Sequence, residues 1–148
     1  MRAVELAIEY PTVALDTLAV EAARLLAGQN LPGLIVVDKA GLPVTILPGT
    51  QVLRLAVPSY IQDDPALARV VDEAHADLFL RELGQRTVAD CLPREQRELP
   101  VVGPRATVME IAALMARTRS PVVAVVEKGA GLLGAITLDV LLDRLVSS

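Results

Sequence analysis

Aromatic side chains are nearly missing from this sequence. There is no Trp, and Tyr10, Tyr60 and Phe79 are its only aromatics, so the stacked ring platforms that hold single-stranded nucleic acid are excluded. Cysteine is as scarce. The lone Cys91 permits no intramolecular disulfide and no cysteine-based zinc cage. A basic excess is also lacking: 14 Lys and Arg face 18 Asp and Glu, for a net charge of −4. The densest basic stretch, Arg117-Thr118-Arg119 with Arg105 nearby in sequence, is too small to offset phosphate repulsion from an acidic body, so no nucleic-acid partner is expected. Long apolar runs are missing too. Val122–Val126 is far shorter than the roughly 18 residues of a spanning helix, and no membrane insertion is expected. The start, Met1-Arg2-Ala3-Val4-Glu5, lacks the apolar stretch of a signal peptide, and the expected location is the cytoplasm.

What is present is aliphatic. Leu, Ala and Val supply 24, 21 and 20 residues of 148, and the mean hydropathy is +0.48. A chain this rich in core-forming side chains is not disordered. Its length suits one compact domain, or two small halves sharing a core.

The chain repeats itself. Displaced by 89 residues, Pro11 meets Pro100, Val13 meets Val102 and Glu21 meets Glu110. Ala23, Leu25 and Ala27 meet Ala112, Leu114 and Ala116, and Pro32 meets Pro121. Val36, Val37, Lys39 and Leu53 meet Val125, Val126, Lys128 and Leu142. These are 11 identities over the ungapped positions 11–53, a period that marks duplicated architecture. Each copy reads as strand, helix, strand, strand, helix. Thr12-Val13 and Val101-Val102 are extended. The first helix starts near Asp16-Thr17, with Leu18, Ala22, Leu25 and Leu26 on one face. Gly28 is placed to end it in a left-handed conformation. The second helix begins at Thr107, three residues before Glu110, the capping-box spacing. Leu34–Val37 and Val122–Val126 are continuous apolar strands of the fully buried kind. Polar turns follow, then Leu42–Leu47 and Leu132–Ile136, then helices from about Thr50 and Leu138.

The copies are separated by a segment of its own composition. Asp63-Asp64-Pro65 is a helix start, and Leu67, Val70, Val71, Ala74 and Leu78 continue one face up to Gly84, which predicts a helix over 65–83. Thr87–Leu92 is a short apolar-faced lead-in, and Pro93–Glu98 a polar, mobile loop. The expected division is 1–56 for the first repeat, 57–86 for the connection and 87–148 for the second repeat.

Asp16-Thr17-Leu18 through Glu21-Ala22-Ala23, Val36-Val37-Asp38 with Gly41, Val125-Val126-Glu127, and Leu133-Gly134-Ala135-Ile136-Thr137 together resemble a tandem pair of CBS domains, a Bateman module. Val88–Pro93 resembles the usual lead-in to such a unit. The resemblance covers about 11–55 and 87–146. It implies an α/β (α+β) fold: two β-α-β-β-α repeats about a pseudo-two-fold axis, with the connecting helix as an extra. It also implies two clefts between the repeats, which in many members hold AMP, ADP, ATP or S-adenosylmethionine. Apolar strands and backbone groups suit adenine, and a few polar groups fix a ribose.

The family's ribose motif is Gly, two apolar residues, Thr or Ser, two further residues, then Asp. The second repeat keeps Gly134 and Thr137, but Val140 stands in the Asp slot and Asp139 lies one residue early. One helical step turns a side chain by about 100°, so Asp139 leaves the cleft unless the helix start shifts. In the first repeat Thr45, Pro48 and Gln51 fill the three slots. Pro48-Gly49-Thr50 makes a tight turn, whose free amides are a second candidate for a phosphate or carboxylate. The second-repeat cleft is the preferred candidate, with Val101, Val102, Ser120, Pro121, Val122, Gly134, Thr137 and Asp139 as its expected lining.

The expected function is a regulatory module that binds an adenosine-containing ligand and signals to a partner protein. The other reading is a ligand-free dimerisation scaffold with degenerate clefts. No certain cofactor is implied. A homodimer is expected, burying helices such as Ala106–Ala116 and Leu138–Val146, because a lone chain leaves much aliphatic surface exposed. Asp72 and His75 share a helix face, but two ligands do not make a metal site, and a solvated acidic face is preferred. Arg69 and Glu73 have the spacing of a surface pair. Arg117 and Arg119 are either solvated or poised to meet a phosphate at the cleft rim. Cys91 reads as a small buried hydrophobe. Tyr10 and Tyr60, beside prolines, are expected to close the ends of the module. With one His and one Cys, no nucleophile or acid–base motif is recognisable, and an enzyme is not expected.

Overall fold

The computed structural model describes residues 1–56, 64, 66, 69, 77, 81, 83–92 and 98–147. The expected helix over 65–83 lies mostly outside the described residues, as do Asp72, Glu73, His75, Tyr60 and the loop 93–97. Ala66, Asp77, Arg81 and Leu83 are helical.

The elements are α1 (Ala3–Leu6), β1 (Thr12–Ala14), α2 (Ala19–Gly28), β2 (Gly33–Val37), β3 (Pro43–Pro48) and α3 (Gly49–Ala56). They continue with α4 (Val88–Cys91), β4 (Val101–Val102), α5 (Val108–Thr118), β5 (Val122–Glu127), β6 (Gly131–Thr137) and α6 (Leu138–Val146). From β1 and from β4 onward the order is the expected strand, helix, strand, strand, helix. Two three-stranded sheets result, β1-β2-β3 and β4-β5-β6. In each, the first two strands are parallel and the last two antiparallel. The duplication extends to a detail: the register shifts between Val36 and Val37 and again between Val125 and Val126, 89 residues later.

Side chains of a strand alternate between faces, and both faces of these sheets are covered. Leu34, Val36 and Leu47 pack outward beneath α2 and α3 with Ala19, Ala22 and Val52. Val123, Val125 and Ile136 pack outward beneath α5 and α6 with Ile111, Leu114 and Leu141. The inward residues Ile35, Ile46, Val122, Ala124 and Ala135 meet between the sheets. Double coverage explains why β2 and β5 read as unbroken apolar runs.

Helix ends depart from expectation in two respects: α2 begins at Ala19, with Leu18 as its N-cap, rather than near Asp16-Thr17, and its end differs too. The turn at Thr107 forms as its spacing predicts: Thr107 Oγ1 accepts from Glu110 N at 3.2 Å, and α5 begins at the next residue. Gly28, however, remains inside α2. The left-handed residues are Asn30 (φ 53°) and its 89-residue counterpart Arg119 (φ 55°). The chain turns two residues later than a glycine rule suggests, because Leu31 N still reaches back to Leu26 O at 2.9 Å. Asn tolerates this conformation better than most residues; Arg119 holds it at a steric cost.

The cores do not follow chain order. The α1 segment caps the second sheet: Ala3 N donates to Ala106 O and Val4 N to Pro104 O, both at 2.9 Å. The α4 segment caps the first sheet through the corresponding bonds, Val88 N to Thr17 O at 2.8 Å and Ala89 N to Leu15 O at 3.0 Å. Ala3 and Leu6 are buried in the second repeat's core, and Val88 and Cys91 in the first's. In both short helices a first-turn carboxylate accepts from the N-cap amide: Arg2 N donates to Glu5 Oε1 at 3.1 Å and Thr87 N to Asp90 Oδ2 at 2.9 Å. No helix among the described residues is long and apolar enough to cross a membrane.

Candidate functional site

The approximate two-fold relation brings the strand-to-helix turn of each repeat opposite the helix-to-strand turn of the other. Thr45, Ile46, Leu47, Pro48 and Gln51 line one cleft together with Pro100, Thr118, Arg119 and Ser120. Leu138 and Asp139 line the other with Asn30, Leu31, Pro32 and Pro121. Each cleft thus contains one left-handed non-glycine residue, Arg119 or Asn30. Such backbone persists where surrounding structure enforces it, commonly at functional positions. The Thr45 cleft encloses about 70 Å³, and the Asp139 cleft about 430 Å³.

The structure divides the expected lining residues rather than gathering them in one cleft. Val101 and Val102 lie on β4 and face a separate cavity with Leu42 and the 126–131 turn. Val122 is buried between the sheets. Ser120 belongs to the Thr45 cleft, where its Oγ donates to Val122 O at 2.6 Å. Pro121 lines the other cleft with Asp139, its carbonyl accepting from Leu138 N at 2.9 Å. Thr137 is 6% exposed, pairs with Val122, and does not cap α6 with its side chain. Gly134 lies in β6 beneath Ile8, which bridges to Ala135 through two 2.9 Å bonds. Asp139 does reach its cleft, and Val140, in the family's Asp slot, packs instead against the second repeat's core. The one-residue offset therefore gives the slot to the core and the rim to the carboxylate.

In the first repeat, Thr45 and Pro48 stand in the cleft, while Gly49 and Thr50 open α3 beside a broad apolar groove. That groove encloses about 800 Å³ between α3, α5 and α6, lined by Leu53, Ala112, Met115, Leu138, Leu142 and Leu145 among others. It coincides with the faces of the two helices expected to be buried in a dimer.

The basic residues separate. Arg117 is committed to Glu98, with Nε and Nη2 each 2.8 Å from a carboxylate oxygen. That bidentate bond holds the Glu98 carboxyl below the usual range and lifts the Arg117 guanidinium above its own. Arg119 lines the Thr45 cleft and also the groove beside α3. Burial pushes the Cys91 thiol up, with Asp90 adding to the effect, so the thiol stays protonated and unreactive. Among the described residues, no group of three or more His, Cys, Asp or Glu is placed to hold a metal ion.

Tyr10 does not close an end of the module. It is 8% exposed, lies between the sheets with Ile35, Ile46 and Ala135, and its hydroxyl donates to Gly33 O at 2.5 Å. Burial, more than the charge of Asp139, pushes its phenol up to about 12. Asn30 and Leu31, which line the Asp139 cleft, and Tyr10, in the core between the sheets, were not expected there. Applying the 89-residue offset to Arg119 and Ser120 points directly to the first two; nothing in the sequence marks Tyr10's direction.

Comparison with known proteins agrees with this architecture. The chain matches the CBS domain model over residues 88–147. It is similar to the crystal structure of a CBS domain-containing protein of unknown function from Kribbella flavida DSM 17836, with 51% identity, 99% of both chains covered and a TM-score of 0.84. It shares the fold of Arabidopsis thaliana CBSX2, solved in complex with AMP, at 17% identity and a TM-score of 0.67, covering 99% of this chain and 96% of that one. The CBS domain pair of protein MJ0100, solved with 5′-methylthioadenosine and S-adenosyl-L-methionine, matches at 19% identity and a TM-score of 0.65, with the same coverage. No curated protein matches the chain. The duplicated sheets, their facing clefts and the Kribbella likeness lead to one assignment: the chain belongs to the CBS-domain family, as a tandem pair.

Proposed function

We propose that this chain is a regulatory module that binds an adenosine-containing ligand (AMP, ADP, ATP or S-adenosylmethionine) in the clefts between its repeats and passes the change to a partner protein. The observation that carries this reading is the facing of turns across the two-fold: Pro48 and Gln51 against Arg119 and Ser120, Leu138 and Asp139 against Asn30 and Pro32. A ligand that bridges such turns stabilises one relation of the repeats over others, which is what a sensor needs. Adenine would rest on aliphatic walls and backbone groups, with Arg119 offering charge to a phosphate. The AMP and S-adenosylmethionine complexes of the related pairs support the ligand class. The reading assigns no catalytic step and places the module in the cytoplasm.

Titration calorimetry with the four ligands tests it. Saturable heat from at least one is expected; silence from all four at millimolar concentration overturns it. Because the chain has no Trp and only 2 Tyr, the 260/280 nm absorbance ratio of the purified protein also reports retained adenine.

A second reading, a ligand-free scaffold that works by dimerising, draws on the 800 Å³ groove and the narrowness of the Thr45 cleft. Both readings share a homodimer across the groove. A native mass spectrum, which counts subunits and retained ligand together, separates them.

A further inference from the structure

The 89-residue offset makes the two clefts comparable position by position, and one of their differences concerns a strand carbonyl. Val122 O, behind the Thr45 cleft, corresponds to Gly33 O in the first repeat. Val122 O accepts from Ser120 Oγ, a hydroxyl that one bond rotation removes. Leu31 stands where Ser120 would, and Gly33 O accepts from Tyr10 instead. Tyr10 belongs to the inter-sheet cluster that includes Ala135, with Leu31 packed against that cluster; the counterparts Ile46 and Ser120 are walls of the Thr45 cleft. The residue corresponding to Tyr10 is Leu99, half-buried and without a donor. Asp139, at the cleft's mouth, lies close enough for its charge to act on the phenol.

We infer that Tyr10 is the resident occupant of the Asp139 cleft: its ring fills the space between the sheets behind Leu31, and its hydroxyl takes a strand carbonyl that an adenine amine could otherwise use. The cavity at Asn30 and Asp139 is then the mouth of a cleft closed from within, and the two clefts are not equivalent. Tyr10 decides how many adenosine ligands one chain accepts. This inference rests on the proposed adenosine binding and adds a stoichiometry to it.

The test is calorimetric titration of AMP, ATP and S-adenosylmethionine into the wild-type chain, Tyr10→Leu and Tyr10→Phe, with folding checked by circular dichroism. Tyr10→Leu installs the residue of the corresponding position and is expected to bind one more ligand per chain than the wild type. Tyr10→Phe keeps the ring and is expected to retain the wild-type number. A folded Tyr10→Leu that gains nothing, beside a wild type that binds, overturns the inference and leaves the adenosine reading standing. A wild type that already takes two ligands per chain overturns it as well. Silence from all three proteins overturns the adenosine reading and the inference with it. Should Tyr10→Leu not fold, Tyr60→Phe leaves Tyr10 as the sole tyrosine: a phenol ionising near pH 12 in that variant supports the occupied cleft, and one ionising near 10 overturns it.

Discussion

A Cβ built on Gly134 would stand 2.6 Å from the carbonyl oxygen of Ile8. The contact is with backbone that is itself bonded to Ala135 in both directions, so neither side can yield cheaply. Gly134 is therefore required by the arriving N-terminal segment, whatever the cleft binds. Gly134→Ala is expected to lower stability by about 1–3 kcal/mol through overpacking, measured as a shift in the urea midpoint. An unchanged midpoint would show that the Ile8 bridge is dispensable.

Tyr10 couples stability to alkaline pH. Its folded-state phenol is raised to about 12 from an ordinary 10.0, so the folded state holds the proton more tightly than the unfolded state. The contribution is whole below pH 10 and falls as pH rises from 10 through 12. Denaturation midpoints followed across that window are expected to drop for the wild type more steeply than for Tyr10→Phe, which has no phenol there to ionise. Parallel slopes would exclude the coupling.

Thr107 supplies the side-chain cap of α5. Thr107→Ala leaves an N-terminal amide without that acceptor and is expected to cost about 1 kcal/mol. The equivalent position of the first repeat, Leu18, makes no side-chain cap; Leu18→Thr is expected to be neutral or stabilising in the same denaturation assay.

Arg119 holds a left-handed backbone with a Cβ. Arg119→Gly relieves that strain and is expected to gain about 1 kcal/mol. It also removes the cation of the Thr45 cleft, so affinity for AMP should fall while stability rises. A variant that loses both would place Arg119 in the fold's framework rather than at a binding site.

Leu53 and Leu142 are 63% and 49% exposed and line the same groove. Light scattering is expected to give twice the 15.7 kDa chain mass for the wild type and the chain mass for Leu142→Glu. A wild-type monomer at micromolar concentration would rule out dimerisation through this face.

The secondary structure was legible because its signals are local. Five apolar residues in a row at Val122–Val126, a Thr–Glu spacing at 107 and 110, and prolines 89 residues apart each act within a few positions of chain. Helix termination was misread at Gly28 because the backbone bond from Leu31 to Leu26 outweighs a glycine's freedom to turn. The site was less legible, for a geometric reason. Ser120 and Pro121 adjoin in sequence, yet the two-fold relation sends one to each cleft. Asp139 and Val140 divide in the same way between rim and core. Their destinations depend on the opposite repeat, which local spacing does not encode.

The crossed attachment of the two short helices has a bearing on ancestry and on dissection. Each sheet is closed by a segment that precedes the other repeat, so a fragment holding one repeat with its own lead-in carries the wrong cap for its core. Two such fragments could satisfy one another only by trading arms, the arrangement of a domain-swapped dimer. Fusing two swapped protomers end to end would yield this topology directly. On that view the chain is a dimer made permanent, and its halves should melt in one transition rather than two.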